Sequence, residues 1–552
     1  MEMIKFENYN FSYENRKILE NINLTINKGE ILLICGLSGS GKTTLLANLK
    51  NEIKPNGNET GNIYYKGENL RDLDSVKSAA EIGFLFQNPD NQFVTDTVIQ
   101  EISFALENIG VPTEEIRTRV SEMATFFGLE KMLHKNVDEL SGGQKQLVNL
   151  CSLLILKPEV LILDEPTSQL DPIASYDFLS ILRRLNEEFN MTILITEHKV
   201  DDLYPFIDKV AYIEDSKIKY LENVDSINFK SSSDDLFEMY LPSPARVHNI
   251  IKEKFNLSDT LKTPISLKEG INDMYSISKE YDFNGLDIKH ISNPATGGED
   301  LIKCKNLWFG YERDNIILKN ISLNIKANEF VSLLGSNGSG KSTFLKLATN
   351  MIKPIKGSIK YKDGLQVAYV HQNPMIHFTT DKVAKELGIT LKEERDIEPD
   401  EDFQDNIKDA DDFVVDLVKL FNLGKLLNHH PYDNSVGEQQ RIAIVQALIT
   451  RPDVLFLDEP SKGIDPKYKA ILADRLKQLQ SKGLSIFIVT HDIDFAADNS
   501  DRCILLFDGS LQVDDTAENV FTQNNFYTTL VHRMLANHLP NVLTLKDLKE
   551  QV

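Results

Sequence analysis

The 552-residue chain repeats itself. MIKFENYNFSY at 3–13 reappears as LIKCKNLWFGY at 301–311, and GLSGSGKTT at 36–44 as GSNGSGKST at 335–343. VLILDEPTSQLDP at 160–172 reappears as VLFLDEPSKGIDP at 454–466, and LITEH at 194–198 shares a frame with the residues around His491. Four landmarks in one order, at offsets of 293 to 299, define two homologous domains. The repeat divides the chain into a first domain at 1–225, a linker with short helices at 226–299, a second domain at 300–525 and a C-terminal helical tail at 526–552.

The linker carries LPSPARVHNIIKEKF and TPISLKEGINDMYSI, each a proline-marked turn followed by an amphipathic helical pattern. Its end, from Asn293 to Gly298, reads as true linker. Only the second domain contains the acidic stretch 391–412, with 3 basic and 11 acidic residues, which reads as a solvated surface insertion. Before Pro540 the tail has apolar positions at helical spacing, which predicts packing on its own domain rather than on lipid.

A net charge of −23 predicts a soluble chain and disfavours broad binding to a phosphate backbone. No apolar run approaches the roughly 20 residues that span a bilayer. The N-terminus lacks the basic and apolar blocks of a signal peptide. The four cysteines form no CxxC pair, which argues against a disulfide framework or structural zinc and fits a reducing cytoplasm.

In each half a strand-like run ends in G-x4-GK[ST] and continues into a helical pattern. Gly36, Gly39 and Gly41, with Ser38, Ser40, Thr43 and Thr44, form the first candidate phosphate cradle. Gly335, Gly338 and Gly340, with Asn337, Ser339, Ser342 and Thr343, form the second. Glycines let backbone N–H groups converge on phosphate oxygens, and the following helix N-terminus adds positive partial charge. Lys42 and Lys341 are placed to reach the outer phosphates, and Thr43 and Ser342 to offer hydroxyls to Mg²⁺.

Later in each half an apolar run ends in paired acids, Asp164-Glu165 and Asp458-Glu459. A continuously apolar run predicts a parallel strand buried on both faces, with its carboxylates at the ligand-binding end of the sheet. One carboxylate suits a Mg²⁺ shell, and the next can polarise a water toward a phosphorus atom. Between these motifs, Leu140-Ser141-Gly142-Gly143-Gln144 reads as a capped helix start that brings a helix N-terminus close to an anion.

Together these motifs closely resemble the ATP-binding-cassette ATPase, twice over, across about 450 of the 552 residues. The resemblance implies an α/β fold of two P-loop NTPase domains. Each would have a mainly parallel core sheet, an antiparallel β subdomain and a helical subdomain. It implies adenine stacking by Tyr13 and Tyr311, a Mg²⁺ contact by Gln87 and Gln372, and γ-phosphate contacts by His198 and His491. It also implies Asp164 and Asp458 in the metal shell and Glu165 and Glu459 as catalytic bases, with ATP and Mg²⁺ as the bound species. A loop follows each acidic strand, at Ser168–Asp171 and Ser461–Asp465.

Family architecture implies a head-to-tail pairing of the cassettes, each ATP meeting the signature of the opposite half. Site one would pair Lys42, Gln87, Asp164, Glu165 and His198 with Asn434-Ser435-Val436-Gly437-Glu438. Site two would pair Lys341, Gln372, Asp458, Glu459 and His491 with the intact Leu140–Gln144. Val436 adds a branched side chain and Glu438 a negative charge where phosphate approaches, so site two is expected to be the more competent.

Gln87-Asn-Pro-Asp-Asn-Gln-Phe93 and the segment after it resemble the ATPases of energy-coupling-factor importers of vitamins and transition-metal ions. The second half keeps only Gln372-Asn-Pro of this stretch. The resemblance implies a peripheral subunit at the cytoplasmic face of the membrane, docked on integral coupling and substrate-capture subunits, without direct contact with the transported molecule or with nucleic acid. Two other readings remain open, a tandem-cassette factor acting on the ribosome and a tandem ATPase for sugar import. The first usually carries a basic linker, whereas residues 226–300 hold 8 basic and 12 acidic residues.

Overall fold

The computed structural model describes every residue except 15, 225–234, 258–261, 282, 284–297, 313–314, 394–402, 526 and 552. The chain divides into two compact units, Met1–Pro242 and Ser243–Val552.

In the first unit, β1 (Glu2–Tyr13), β2 (Arg16–Asn27), β4 (Asn58–Tyr65) and β5 (Glu68–Asn69) form an antiparallel sheet in the order β2-β1-β4-β5. The core sheet contains β3 (Ile31–Gly36), β6 (Ile82–Leu85), β7 (Val160–Asp164), β8 (Thr192–Thr196), β9 (Lys209–Glu214) and β10 (Lys217–Asn223). Their order is β10-β9-β3-β8-β7-β6. All pairs are parallel except β10 with β9. Every residue of β3, β7 and β8 is buried, as expected of parallel strands covered on both faces. The helices Val98–Asn108, Thr113–Phe127 and Gly142–Leu154 pack together as the helical subdomain.

The second unit repeats this plan. β11 (Asp300–Phe309), β12 (Leu318–Lys326) and β14 (Lys356–Tyr361) form the antiparallel sheet. The core strands are β13 (Phe330–Leu334), β15 (Val367–Val370), β18 (Val454–Asp458), β19 (Ser485–Thr490), β20 (Arg502–Phe507) and β21 (Ser510–Thr516). They run β15-β18-β19-β13-β20-β21, the same arrangement strand for strand. The fold is therefore the expected α/β P-loop architecture, twice.

Of the acidic stretch 391–412, residues 394–402 lie outside the described residues. On either side, β16 (Thr390–Leu391) pairs antiparallel with β17 (Ile407–Asp409). Most of the Asn293–Gly298 linker also lies outside the described residues.

Two helices of the segment read as linker, Ser243–Phe255 and Leu267–Ile277, belong to the second unit. Val247, Ile251, Met274 and Ile277 share a core with Val531, Met534, Leu535, Val542 and Leu548 of the tail. The helical periodicity of both segments is satisfied by this mutual burial, at about 1.5–3 kcal/mol per large aliphatic side chain. Among the described residues, no helix is long and apolar enough to cross a membrane.

Candidate functional site

Each core sheet carries the candidate groups at the C-terminal ends of its parallel strands. β3 delivers the loop from Gly36 to Gly41, and β13 its counterpart from Gly335 to Gly340. Gly39 and Gly41 have φ of 77° and 102°, and Gly338 and Gly340 have 79° and 101°, so both loops have one backbone shape. A Cβ on Gly41 would lie 2.9 Å from the Ile18 carbonyl oxygen, which excludes side chains there on steric as well as torsional grounds.

The lysines fold back onto their own loops. Lys42 Nζ donates to the carbonyls of Gly36 at 2.8 Å and Leu37 at 3.0 Å. Lys341 Nζ donates to Gly335 at 2.8 Å and Ser336 at 3.0 Å. Both ammonium groups are buried, held at the mouth of the loop where an anion would be drawn. Among the described residues, the hydroxyls of Ser40 and Ser339 are buried without a hydrogen-bond partner. Tyr13 and Tyr311 are exposed, each set edge-on to a strand phenylalanine at 5.1 Å, Phe11 and Phe309.

β7 ends in Asp164, whose Oδ1 accepts from Thr196 Oγ1 at 2.7 Å. Burial holds this carboxyl above the usual range, while the Thr196 bond opposes the shift. In the second unit Asp458 accepts from Ser342 Oγ at 3.0 Å and from the Tyr369 hydroxyl at 3.2 Å. Burial raises its pKa too.

The next residues, Glu165 and Glu459, both have left-handed backbones, with φ of 44° and 52°. The turn is held by N–H bonds to the neighbouring strand, from Glu165 to the Thr196 carbonyl at 3.1 Å and from Glu459 to that of Val489 at 2.8 Å. Glu165 accepts from Gln87 Nε2 at 2.6 Å and faces His198 Nε2 at 2.9 Å. Glu459 faces His491 Nδ1 at 2.9 Å. Burial pushes the Glu459 carboxyl up, but His491, helped by the charges of Lys341 and Lys462, outweighs it and brings the net pKa down. Gln372 is exposed, and among the described residues its side chain makes no hydrogen bond to Glu459 or Asp458.

Residues 19–168 and 318–462 match the family described as ABC transporter. The chain belongs to that family. This ABC protein is 37% identical to a putative ABC transporter ATP-binding protein of Bacillus anthracis, over 99% of this chain and 98% of the relative. It is 29% identical to the putative HMP/thiamine import ATP-binding protein YkoD of Bacillus subtilis, over 95% of this chain and 93% of that one. The solved structure titled RNase-L Inhibitor, 19% identical, superposes with a TM-score of 0.58 over 96% of this chain and 93% of its own, which shows the shared fold. The chain is a tandem-cassette ABC ATPase that binds and hydrolyses ATP.

In this ABC ATPase both signature helices begin with a capping box, closed by Gln144 in the first and by Glu438 in the second. Ser141 caps Gly142–Leu154, and Gln144 completes the capping box, its Oε1 accepting from the Ser141 N–H at 3.0 Å. Ser435 caps Val436–Leu448, and one oxygen of Glu438 accepts both the Ser435 N–H at 2.9 Å and its hydroxyl at 2.8 Å. The sequence alone suggests a bare negative charge at Glu438, but the structure has it turned back onto the cap. Gly142 and Gly143 of the first helix, and Gly437 of the second, leave the helix starts uncrowded, with only ordinary van der Waals neighbours for an added Cβ.

The ladder register puts the two histidines at one step. Asp164 pairs with Thr196 and Asp458 with Val489, so His198 and His491 each lie two residues beyond the paired position. This register also makes Glu197 the counterpart of Thr490. Sequence reasoning did not single out Glu197, although the difference between Thr-Glu-His and Val-Thr-His was its visible signal. It also passed over Tyr369, whose bond to Asp458 only the fold reveals.

Proposed function

We propose that this ABC ATPase is the energy-converting subunit of a membrane importer of the energy-coupling-factor type, taking up a vitamin or a metal ion. The observation that carries this is the folded form of residues 87–93. Asn88 caps the short turn Pro89–Asn91, whose Asp90 pairs with Lys145 at 2.5 Å. Asn149 donates to the Pro89 carbonyl at 2.9 Å. Lys145 and Asn149 lie on the first signature helix. A partner pressing on this loop would therefore press on the signature helix, while Gln87 at the loop's start holds Glu165. The thiamine-import name of the Bacillus subtilis relative supports the vitamin class.

The candidate metal residues fit Mg²⁺. Thr43, Ser342, Asp164, Asp458 and the amide oxygens of Gln87 and Gln372 offer only hard oxygen donors. The Ser342–Asp458 bond shows hydroxyl and carboxylate converging on one place. When bound, Mg²⁺ would neutralise charge on the phosphate oxygens. The rest of the chemistry falls to the chain. Lys42 and Lys341 exchange loop carbonyls for phosphate oxygens. Glu165 and Glu459 orient a water and take its proton as it attacks the terminal phosphorus, and ADP leaves with the broken P–O bond. Tyr13 and Tyr311 present faces for the adenine, and His198 and His491 steady the two glutamates. Ser141 and Ser435 cap the helices offered to phosphate.

The ribosome-factor reading shares the fold at 19% identity, but the net charge of −23 disfavours a polyanionic partner. The deciding experiment is affinity purification of the tagged chain from gently solubilised cells of its source organism, with mass spectrometry of the co-purifying proteins. Multi-span membrane proteins are expected. Ribosomal proteins without a membrane partner would overturn the importer reading.

A further inference from the structure

Glu197 is buried to 2% exposure one residue before His198. Its Oε1 accepts from both the N–H of Thr167, at 2.8 Å, and the Thr167 hydroxyl, at 2.7 Å. Its Oε2 accepts from the His198 N–H at 3.2 Å. A single carboxylate thus ties the end of β8 to the loop that leaves Glu165. Within that loop, Ser168 Oγ also donates to the Glu165 carbonyl at 2.8 Å.

The second cassette lacks this carboxylate. At the register position of Glu197 stands Thr490, whose Oγ1 accepts from the Asp492 N–H at 3.0 Å. At the position of Thr167 stands Ser461. Both cassettes keep the acids and the histidine, so this bridge is a difference in how the acids are supported. Carboxylate bonds to two donors on one loop residue are charge-assisted and costly to leave unmade in a dry site.

We propose that Glu197 is a positioning residue of the first cassette, which locks the loop after Glu165 against the His198 turn and so holds Glu165 in its hydrolytic pose. The groups facing it are Glu165, His198 and Thr167. The residue acts through Thr167 and His198, without contact with nucleotide. The inference needs only the ATPase activity and is independent of what that activity powers.

The test is hydrogen–deuterium exchange of the full chain with Mg-ATP, comparing residues 165–171 with 459–465 as an internal control. Glu197→Ala is expected to raise exchange at 165–171 several-fold and leave 459–465 unchanged. Glu197→Gln keeps an acceptor for Thr167 and is expected to restore most of the protection. Thr167→Val is expected to reproduce part of the rise and to add nothing to Glu197→Ala. Turnover remaining in a Glu459→Gln background should fall further with Glu197→Ala at unchanged KM for ATP. Unchanged exchange at 165–171, an equal rise in both loops, or no rescue by glutamine would overturn the assignment. If the alanine variant fails to fold, Glu197→Thr, the second cassette's own arrangement, is judged by the same criteria.

Discussion

The hydroxyl of Ser435 donates to the Glu438 carboxylate at 2.8 Å. Its counterpart in the first cassette, Ser141, meets a neutral amide, Gln144, which takes only its backbone N–H. A serine hydroxyl has one proton to donate. In the second signature that proton is committed to an internal carboxylate, and a phosphate would have to compete for it.

Neutralising the competitor should therefore release the hydroxyl. In a Glu459→Gln background, Glu438→Gln is expected to raise the remaining ATP turnover about threefold, and in the native chain Gln144→Glu is expected to lower turnover about tenfold, given about 1.5 kcal/mol for a charge-assisted bond. Phosphate release by the purified full chain checks both.

Under the pairing that the family resemblance implies, Glu459 works with the unencumbered signature. Glu459→Gln is expected to lower kcat by about a hundredfold or more, the usual contribution of a general base, and Glu165→Gln by only a few-fold. The same phosphate assay decides, and the reverse ranking would mean that the first cassette carries the turnover.

Burial pushes the Glu197 carboxyl up to about 7, against the Thr167 bonds, with the Glu165 charge adding to the rise. The folded state therefore holds this proton at pH values where the unfolded chain has lost it. The resulting penalty is absent below about pH 4.5, grows as pH rises toward 7 and is complete above it. Glu197→Gln removes the penalty, so its stability relative to the native chain should increase from pH 5 to pH 8, by at most about 3 kcal/mol. Thermal melts at several pH values measure this, and a flat difference would contradict it.

Leu535 is fully buried in the core shared by the tail and the helices 243–277. Leu535→Ala should destabilise the second unit by about 2–5 kcal/mol, the range for emptying a packed leucine site. Denaturant titration of the full chain would show the second unit's transition shifted, while a transition assigned to the first unit stays in place.

The fold was legible because its punctuation is local. The apolar runs ending at Asp164 and Asp458 are the doubly covered parallel strands that their continuity suggests, and each glycine loop stands directly between a strand and a helix. The positions of the paired acids and histidines followed from the repeat. Partner choice did not follow. That Glu438 closes onto Ser435 was readable in principle from its three-residue spacing, but its charge drew attention first. That Gln87 reaches Glu165 while Gln372 stays exposed depends on loop paths that no spacing encodes. The union of residues 243–277 with 531–548 joins segments more than 250 positions apart, beyond the reach of any local pattern.

That union has a consequence for biosynthesis. Val247, Ile251 and Met274 can meet their tail partners in this core only after residues 531–548 have been made. Completion of the second unit therefore waits on synthesis of residues 531–548. A chain lacking residues 531–548 would display an apolar seam to quality-control proteases, even with both catalytic sheets already formed.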